Sequence, residues 1–290
     1  MSAGMPGTGL FYMKNISKKD TGERHDTLNI FDSLKRLFLP SNEKAFIEAV
    51  KLLSSGQLNA SYNKLRSIDG IPGKHFLTGF IELKRGDYDK AEASFQNALK
   101  HRRALTSRFE KFDISIQMGL PVTEEIMLYM DCSVIAVKLA LVEIYQEKEQ
   151  YEKAYSILIK MIKQGNDNIV VLLSFAELIA LNFKGEKSRS SELIERTSDI
   201  ENETMLHTAL IYYRAKVLED MKLYNAARSE YTRSFRRKKG RSDKLLLSIQ
   251  YDRALLYEKL GNRNRFREEL EKIYMKNPGY RDVEERLDIQ

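Results

Sequence analysis

The chain has 290 residues, 42% of them hydrophobic and 31% charged, and its 48 basic and 41 acidic side chains leave a net charge of +7. That length holds one large domain or two ordinary ones, and the interleaving of apolar with charged residues suits amphipathic helices. One cysteine excludes an internal disulfide and a cysteine-based zinc cluster; with no apolar run of about 18 residues and no secretory leader, the expectation is a soluble cytoplasmic protein without a membrane span.

The chain opens on a glycine-rich stretch, AGMPGTGLFYMK, over residues 3–14. It fails as a phosphate loop, because no Lys-Ser/Thr pair follows its last glycine and no apolar strand precedes its first. Through Gly4, Pro6, Gly7, Thr8, Gly9, Leu10 and Tyr12 it resembles the closing stretch of a short Gly/Ser-rich bacterial domain of unknown function. Most of that domain is missing here, so Met1 reads as an internal or misassigned start. The polar run Lys14–Asn29 then lacks the apolar residues to order itself, which makes 1–27 a flexible leader and linker.

Leu28, Phe31, Leu34 and Phe38 recur at helical spacing behind Asp26 and Thr27, before Pro40 stops the helix. Beyond it four segments share one layout: GDYDKAEASFQNAL (86–99), EQYEKAYSILIKMI (149–162), KLYNAARSEYTRSF (222–235) and GNRNRFREELEKIY (261–274). Each is a polar turn followed by an amphipathic helix, and each follows another such helix. A helix pair repeated in this way buries its apolar face only against its neighbours in a stack.

The positions Gly79, Gly86, Tyr88, Ala91, Phe95 and Ala98 resemble the tetratricopeptide repeat pattern, as do Tyr145, Tyr151, Ala154 and Leu158, then Tyr224, Ala227 and Tyr231, then Ala254, Tyr257, Gly261, Leu270 and Pro278. With no tryptophan anywhere, His75, Lys138 and Gln250 replace the family's large aromatic. The resemblance implies an all-α, right-handed solenoid of about five to six helix hairpins, with first repeats over 28–105, an insertion over 106–131 and remaining repeats over 132–290. Within the hairpins, Ala91, Ala154 and Ala227 let backbones approach while Phe95, Leu158 and Tyr231 fill the gap one turn later.

The insertion breaks the helical period. Phe112, Ile114, Ile116 and Met118 alternate as in a strand over 111–118, and Gly119 and Pro121 then end it before a helix led by Thr123. Such a strand would need a partner, either the extended GLFYMK or a bound peptide; an irregular loop packed on the repeats is the simpler reading.

No chemistry of turnover emerges. Histidines 25, 75, 101 and 207 are scattered, Glu203 with His207 reads as a solvated pair, and Cys132 reads as a small core residue at a helix start. The expectation is no enzyme, no cofactor and no metal. What remains is the groove lined by first helices, where the resemblance implies partner contacts at Phe76, Phe80, Leu139, Glu143, Gln146, Tyr212, Lys216, Glu219, Tyr251, Leu255 and Glu258. The family's Lys and Asn clamp for a C-terminal carboxylate is absent, since Phe76 and Phe80 take its places. The partner is a protein or peptide, and self-association is left open. The alternative is a nucleic-acid-associated regulator using the basic edge around 233–244, with Arg236, Arg237, Lys238, Lys239 and Arg241 on phosphates. A second run, Arg263, Arg265 and Arg267, would fall on the opposite edge of a helical stack, and no aromatics are interleaved to stack bases.

Overall fold

A computed structural model of the chain describes residues 11–12, 39–112, 114, 116–165 and 168–289. The helix expected from Leu28 and all of the leader except Phe11 and Tyr12 lie outside the described residues. The chain divides into two compact units. The first runs up to Leu120 and includes Leu128–Gln150; the second joins Pro121–Met127 to Tyr151–Gln290.

In the first unit, α1 (Ser41–Ser54) pairs with α2 (Leu58–Arg66), and α3 (Gly73–Lys84) with α4 (Tyr88–Lys100). Each forms because its apolar residues fall on one side at helical spacing: α1 buries Phe46, Ala49, Val50 and Leu53, and α4 buries Ala91, Phe95 and Ala98. The close approach of α3 and α4 favours a residue without a side chain. A Cβ on Gly79 would stand 3.0 Å from the Phe95 ring. A later helix, α6 (Val134–Glu147), is capped by Ser133, whose hydroxyl accepts the Ala136 N–H at 3.1 Å.

The insertion departs from its expected course. Its first residues are helical, as α5 (Ser107–Lys111), which ends where the strand over 111–118 was expected to begin. The reason lies on α1, whose Glu43 is buried and takes Arg108 Nε at 3.1 Å and Lys111 Nζ at 2.8 Å, while Phe109 meets Phe46 edge-on at 5.3 Å. One helical turn brings all three side chains to bear, and a strand would put Phe109 and Arg108 on opposite faces.

Extended structure comes later, as β2 (Gln117–Thr123), and it runs through Gly119 and Pro121. Phe11–Tyr12, here β1, pairs with it antiparallel, Phe11 opposite Met118 and Tyr12 opposite Gln117. Among the described residues that pairing reaches Met118. The helix expected behind Thr123 does not form. Its hydroxyl accepts the Glu125 N–H at 3.2 Å across a tight turn, and the period-two residues that follow return as β3 (Ile126–Asp131), giving a sheet of order β1-β2-β3.

The second unit holds α7 (Tyr151–Lys163), α8 (Ile169–Asn182), α9 (Lys187–Arg196), α10 (Met205–Asp220), α11 (Tyr224–Arg236), α12 (Asp243–Lys259), α13 (Arg263–Tyr274) and α14 (Val283–Arg286). First and second helices of a pair differ in burial. Helices α8, α10 and α12 bury residues around most of their circumference, whereas α9, α11 and α13 bury a single stripe, such as Ala227, Tyr231 and Ser234 of α11. The first helices are therefore the inner layer of this unit. At its end Val283 and Leu287 join Tyr251, Ala254, Leu270 and Ile273 in one apolar cluster.

One turn recurs within the pairs. After α1, α3, α6, α10 and α12 the second residue past the helix has positive φ: Gly56 (78°), Gly86 (73°), Glu149 (55°), Lys222 (63°) and Gly261 (71°). Each time its N–H reaches back three residues and the next N–H five, closing the helix end. Three glycines adopt this conformation without strain; Glu149 and Lys222 do not.

Candidate partner-binding site

The inner face of the first unit is largely covered by the chain itself. Phe76 and Phe80 were expected to line an open groove, but both are buried, and with Phe95, Ala136 and Ala140 they surround a narrow apolar space closed by Met118, Leu120 and Met130 of the strands. Leu139 is also core. All three therefore lie in the core rather than on an open face, Phe76 and Phe80 against the strand residues Met118, Leu120 and Met130. Glu143 and Gln146 remain half-buried at the surface. Burial pushes the Glu143 carboxyl up to about 7, with Glu147 adding to the rise and Lys84 opposing it. Burial likewise lowers the pKa of Lys84, whose ammonium lies 5.3 Å over the Phe80 ring.

In the second unit α8, α10 and α12 carry two distinct arrangements. The first receives the insertion's turn. Glu125 is buried there and accepts the Tyr213 hydroxyl at 2.7 Å; the Glu124 N–H donates to Glu177 Oε1 at 3.3 Å, and Lys244 donates to the Glu124 carbonyl. An acidic turn thus docks on helix side chains through its carboxylate, its N–H and its carbonyl. The adjacent Glu124 and Glu125 between two period-two runs were the only sequence signal for it.

The second arrangement is an open recess of about 520 Å³ at the C-terminal ends of α8, α10 and α12. Its floor is a closed polar network. Asp252 Oδ2 accepts the Tyr212 hydroxyl at 2.6 Å and Lys216 Nζ at 2.7 Å, and Oδ1 takes Arg281 at 3.4 Å. Beside it Glu219 accepts the Tyr231 hydroxyl at 2.8 Å and Lys259 Nζ at 2.7 Å. Burial and the Asp252 charge hold the Tyr212 and Tyr231 pKa values well above the usual phenol range, so both hydroxyls stay donors. Lys184, Lys222 and Leu255 complete the rim.

Of the expected groove residues in this unit, Lys216, Glu219 and Leu255 meet in the recess. Tyr212 and Tyr251 are corrected from surface anchors to buried supports. Tyr212 holds Asp252 from beneath, and Tyr251 donates to the Asp282 carboxylate and stands 5.8 Å edge-on to Tyr280. Glu258 is exposed and accepts from Arg286 at 3.1 Å.

The basic edge is split. Arg236, Arg237, Lys238 and Lys239 are exposed, whereas Arg241 is half-buried and donates to Thr208 Oγ1 and the Glu203 carbonyl, both at 2.9 Å. His207 is engaged by Thr204 at 2.8 Å, and His75 and His101 stack nearly parallel with centroids 6.4 Å apart. Burial raises the Cys132 thiol pKa, and its helix begins two residues later at Val134. Among the described residues no cluster of three His, Cys, Asp or Glu side chains is arranged for a metal ion, and no helix is long and apolar enough to cross a membrane.

The chain is thus mostly helical, of the helical-repeat class. No protein-family model matches it, and no curated protein matches it by sequence. Its fold is similar to the N-terminal domain of the EccA1 ATPase from the ESX-1 secretion system of Mycobacterium tuberculosis, at 15% identity and TM-score 0.60 over 85% of this chain and 88% of that one. It is also similar to BtubC (BKLC) from P. vanneervenii, at 13% identity and TM-score 0.52 over 84% and 94%. A tetratricopeptide repeat protein from Parabacteroides merdae aligns at 14% identity over 86% and 98% with TM-score 0.36, too loose a likeness to argue from. At such identities the likeness shows a fold and nothing of a partner.

Proposed function

We propose that this protein is a non-catalytic scaffold that holds a protein or peptide partner against its inner helices, in a right-handed array of five to six tetratricopeptide-like hairpins. The observation that carries the reading is the recess on α8, α10 and α12. It combines an apolar contact at Leu255 with charged side chains on a network whose hydroxyls and carboxylates are already paired. Paired, rigid polar groups suit recognition.

The partner is captured first with the wild-type chain and identified. Leu255→Arg, at a half-buried rim position, is then expected to abolish its co-purification while preserving the circular dichroism spectrum and the melting temperature to within a few degrees. Exchange of exposed Arg236 and Lys238 for glutamate is expected to leave that partner bound. Loss of binding in the second variant alone would move the site to the basic edge.

A further inference from the structure

We infer that the segment held in this recess is acidic; the inference rests on the scaffold reading and adds the chemistry of the partner. The acids of the recess are already engaged. Asp252 is held by Tyr212, Lys216 and Arg281, Glu219 by Tyr231 and Lys259, and Asp220 accepts the Gly185 N–H at 2.6 Å. Lys184 and Lys222 are exposed on the same rim and have no acidic partner among the described residues. The lining carries four lysines against three carboxylates, Lys216 and Lys259 are paired with Asp252 and Glu219, and the net positive charge at the rim favours an incoming carboxylate at Lys184 and Lys222.

Two further observations point the same way. Lys222 stands at a turn position where Gly56, Gly86 and Gly261 stand elsewhere, with φ at 63°. A lysine there strains the backbone that a glycine would relax, as Glu149 does at its own turn, and the closed turn fixes the Lys222 backbone at the rim. Moreover, the same three inner helices already hold an acidic turn of this chain: Glu125 takes a tyrosine hydroxyl from α10, and the Glu124 carbonyl takes a lysine from α12. An acidic segment of another protein would meet lysine donors of the same kind in the recess, Lys184 and Lys222.

The test uses the full chain and fluorescence anisotropy with a short labelled oligoglutamate, an oligolysine of equal length, and an apolar peptide. Oligoglutamate is expected to bind in preference to the others, and Lys184→Glu with Lys222→Glu to weaken it about tenfold or more. Lys222→Gly is the decisive single variant. It is expected to raise the melting temperature, because strain is relieved, and to weaken oligoglutamate by about threefold, because a charge is lost. A merely structural lysine would move only the first reading.

Oligoglutamate binding that neither variant changes, or equal binding of oligolysine, overturns the inference. So does equal competition by inorganic phosphate, which marks a small-anion site, or tighter binding of a single-stranded oligonucleotide with the same lysine dependence. Binding of the apolar peptide alone, blocked by Leu255→Arg, overturns the acidic chemistry and leaves the scaffold standing. Failure of all three peptides, together with failure to capture any partner, removes the scaffold reading as well.

Discussion

The Tyr213 hydroxyl donates to the Glu125 carboxylate at 2.7 Å, joining residues 88 apart in sequence, and both side chains are buried. The pair anchors the acidic turn of the insertion within the second unit. Among the described residues Tyr213→Phe leaves that buried carboxylate with the Thr123 hydroxyl at 3.2 Å as its side-chain donor. The expected loss is about 1 to 3 kcal/mol, read as a lower midpoint in urea denaturation, and Tyr213→Phe in a Glu125→Gln background should cost less. Equal losses in the two backgrounds would show that the pair is not coupled.

Glu149 and Lys222 fill a turn position that takes glycine in three other pairs. Glu149→Gly should stabilise the protein by about 0.5 to 1 kcal/mol, the strain relieved less the chain entropy of glycine. Gly86→Ala places a Cβ in open space yet should cost about 1 kcal/mol, because the cost lies in the backbone. Thermal melts of both variants in parallel check the sign.

Ala91 is fully buried on α4. Ala91→Leu should cost about 1 to 3 kcal/mol by overpacking. Gly79→Ala should also destabilise, since its new Cβ meets the Phe95 ring at 3.0 Å. Combining Gly79→Ala with Phe95→Leu should cost less than the sum of the two, which a double-mutant cycle on denaturation midpoints measures.

Glu143 binds its proton more tightly folded than unfolded, with its carboxyl raised from 4.5 to about 7 by burial and then by Glu147, against Lys84. Its contribution to stability is therefore whole below pH 4.5 and lost as pH rises through about 7. Glu143→Gln should flatten that decline, giving a melting temperature less dependent on pH across this window. An unchanged slope would place the titrating group elsewhere.

Much of the architecture was legible because helix pairing is written locally. The buried alanines at 91, 154 and 227, the large residues one turn later, and Gly86 and Gly261 at the turns can all be read from spacing, since a hairpin of adjacent helices needs them whatever lies beyond it. The insertion was legible only as a break in period. Its helix depends on Glu43, some 65 residues upstream, and its strands depend on what they pack against.

The sequence by itself therefore determined a chain of amphipathic helix pairs, their small-residue contacts and most of their turns, because those rest on interactions within a few helical turns. Only the tertiary structure decided which inner faces stay open. Phe76, Phe80 and Tyr212 have the size and spacing of groove anchors, but burial is a property of what arrives from a distance, and here the insertion and neighbouring helices arrive first. The same physics left Lys184 and Lys222 exposed and Leu255 half-buried at the rim of a recess, because no described segment of their own unit is packed over them.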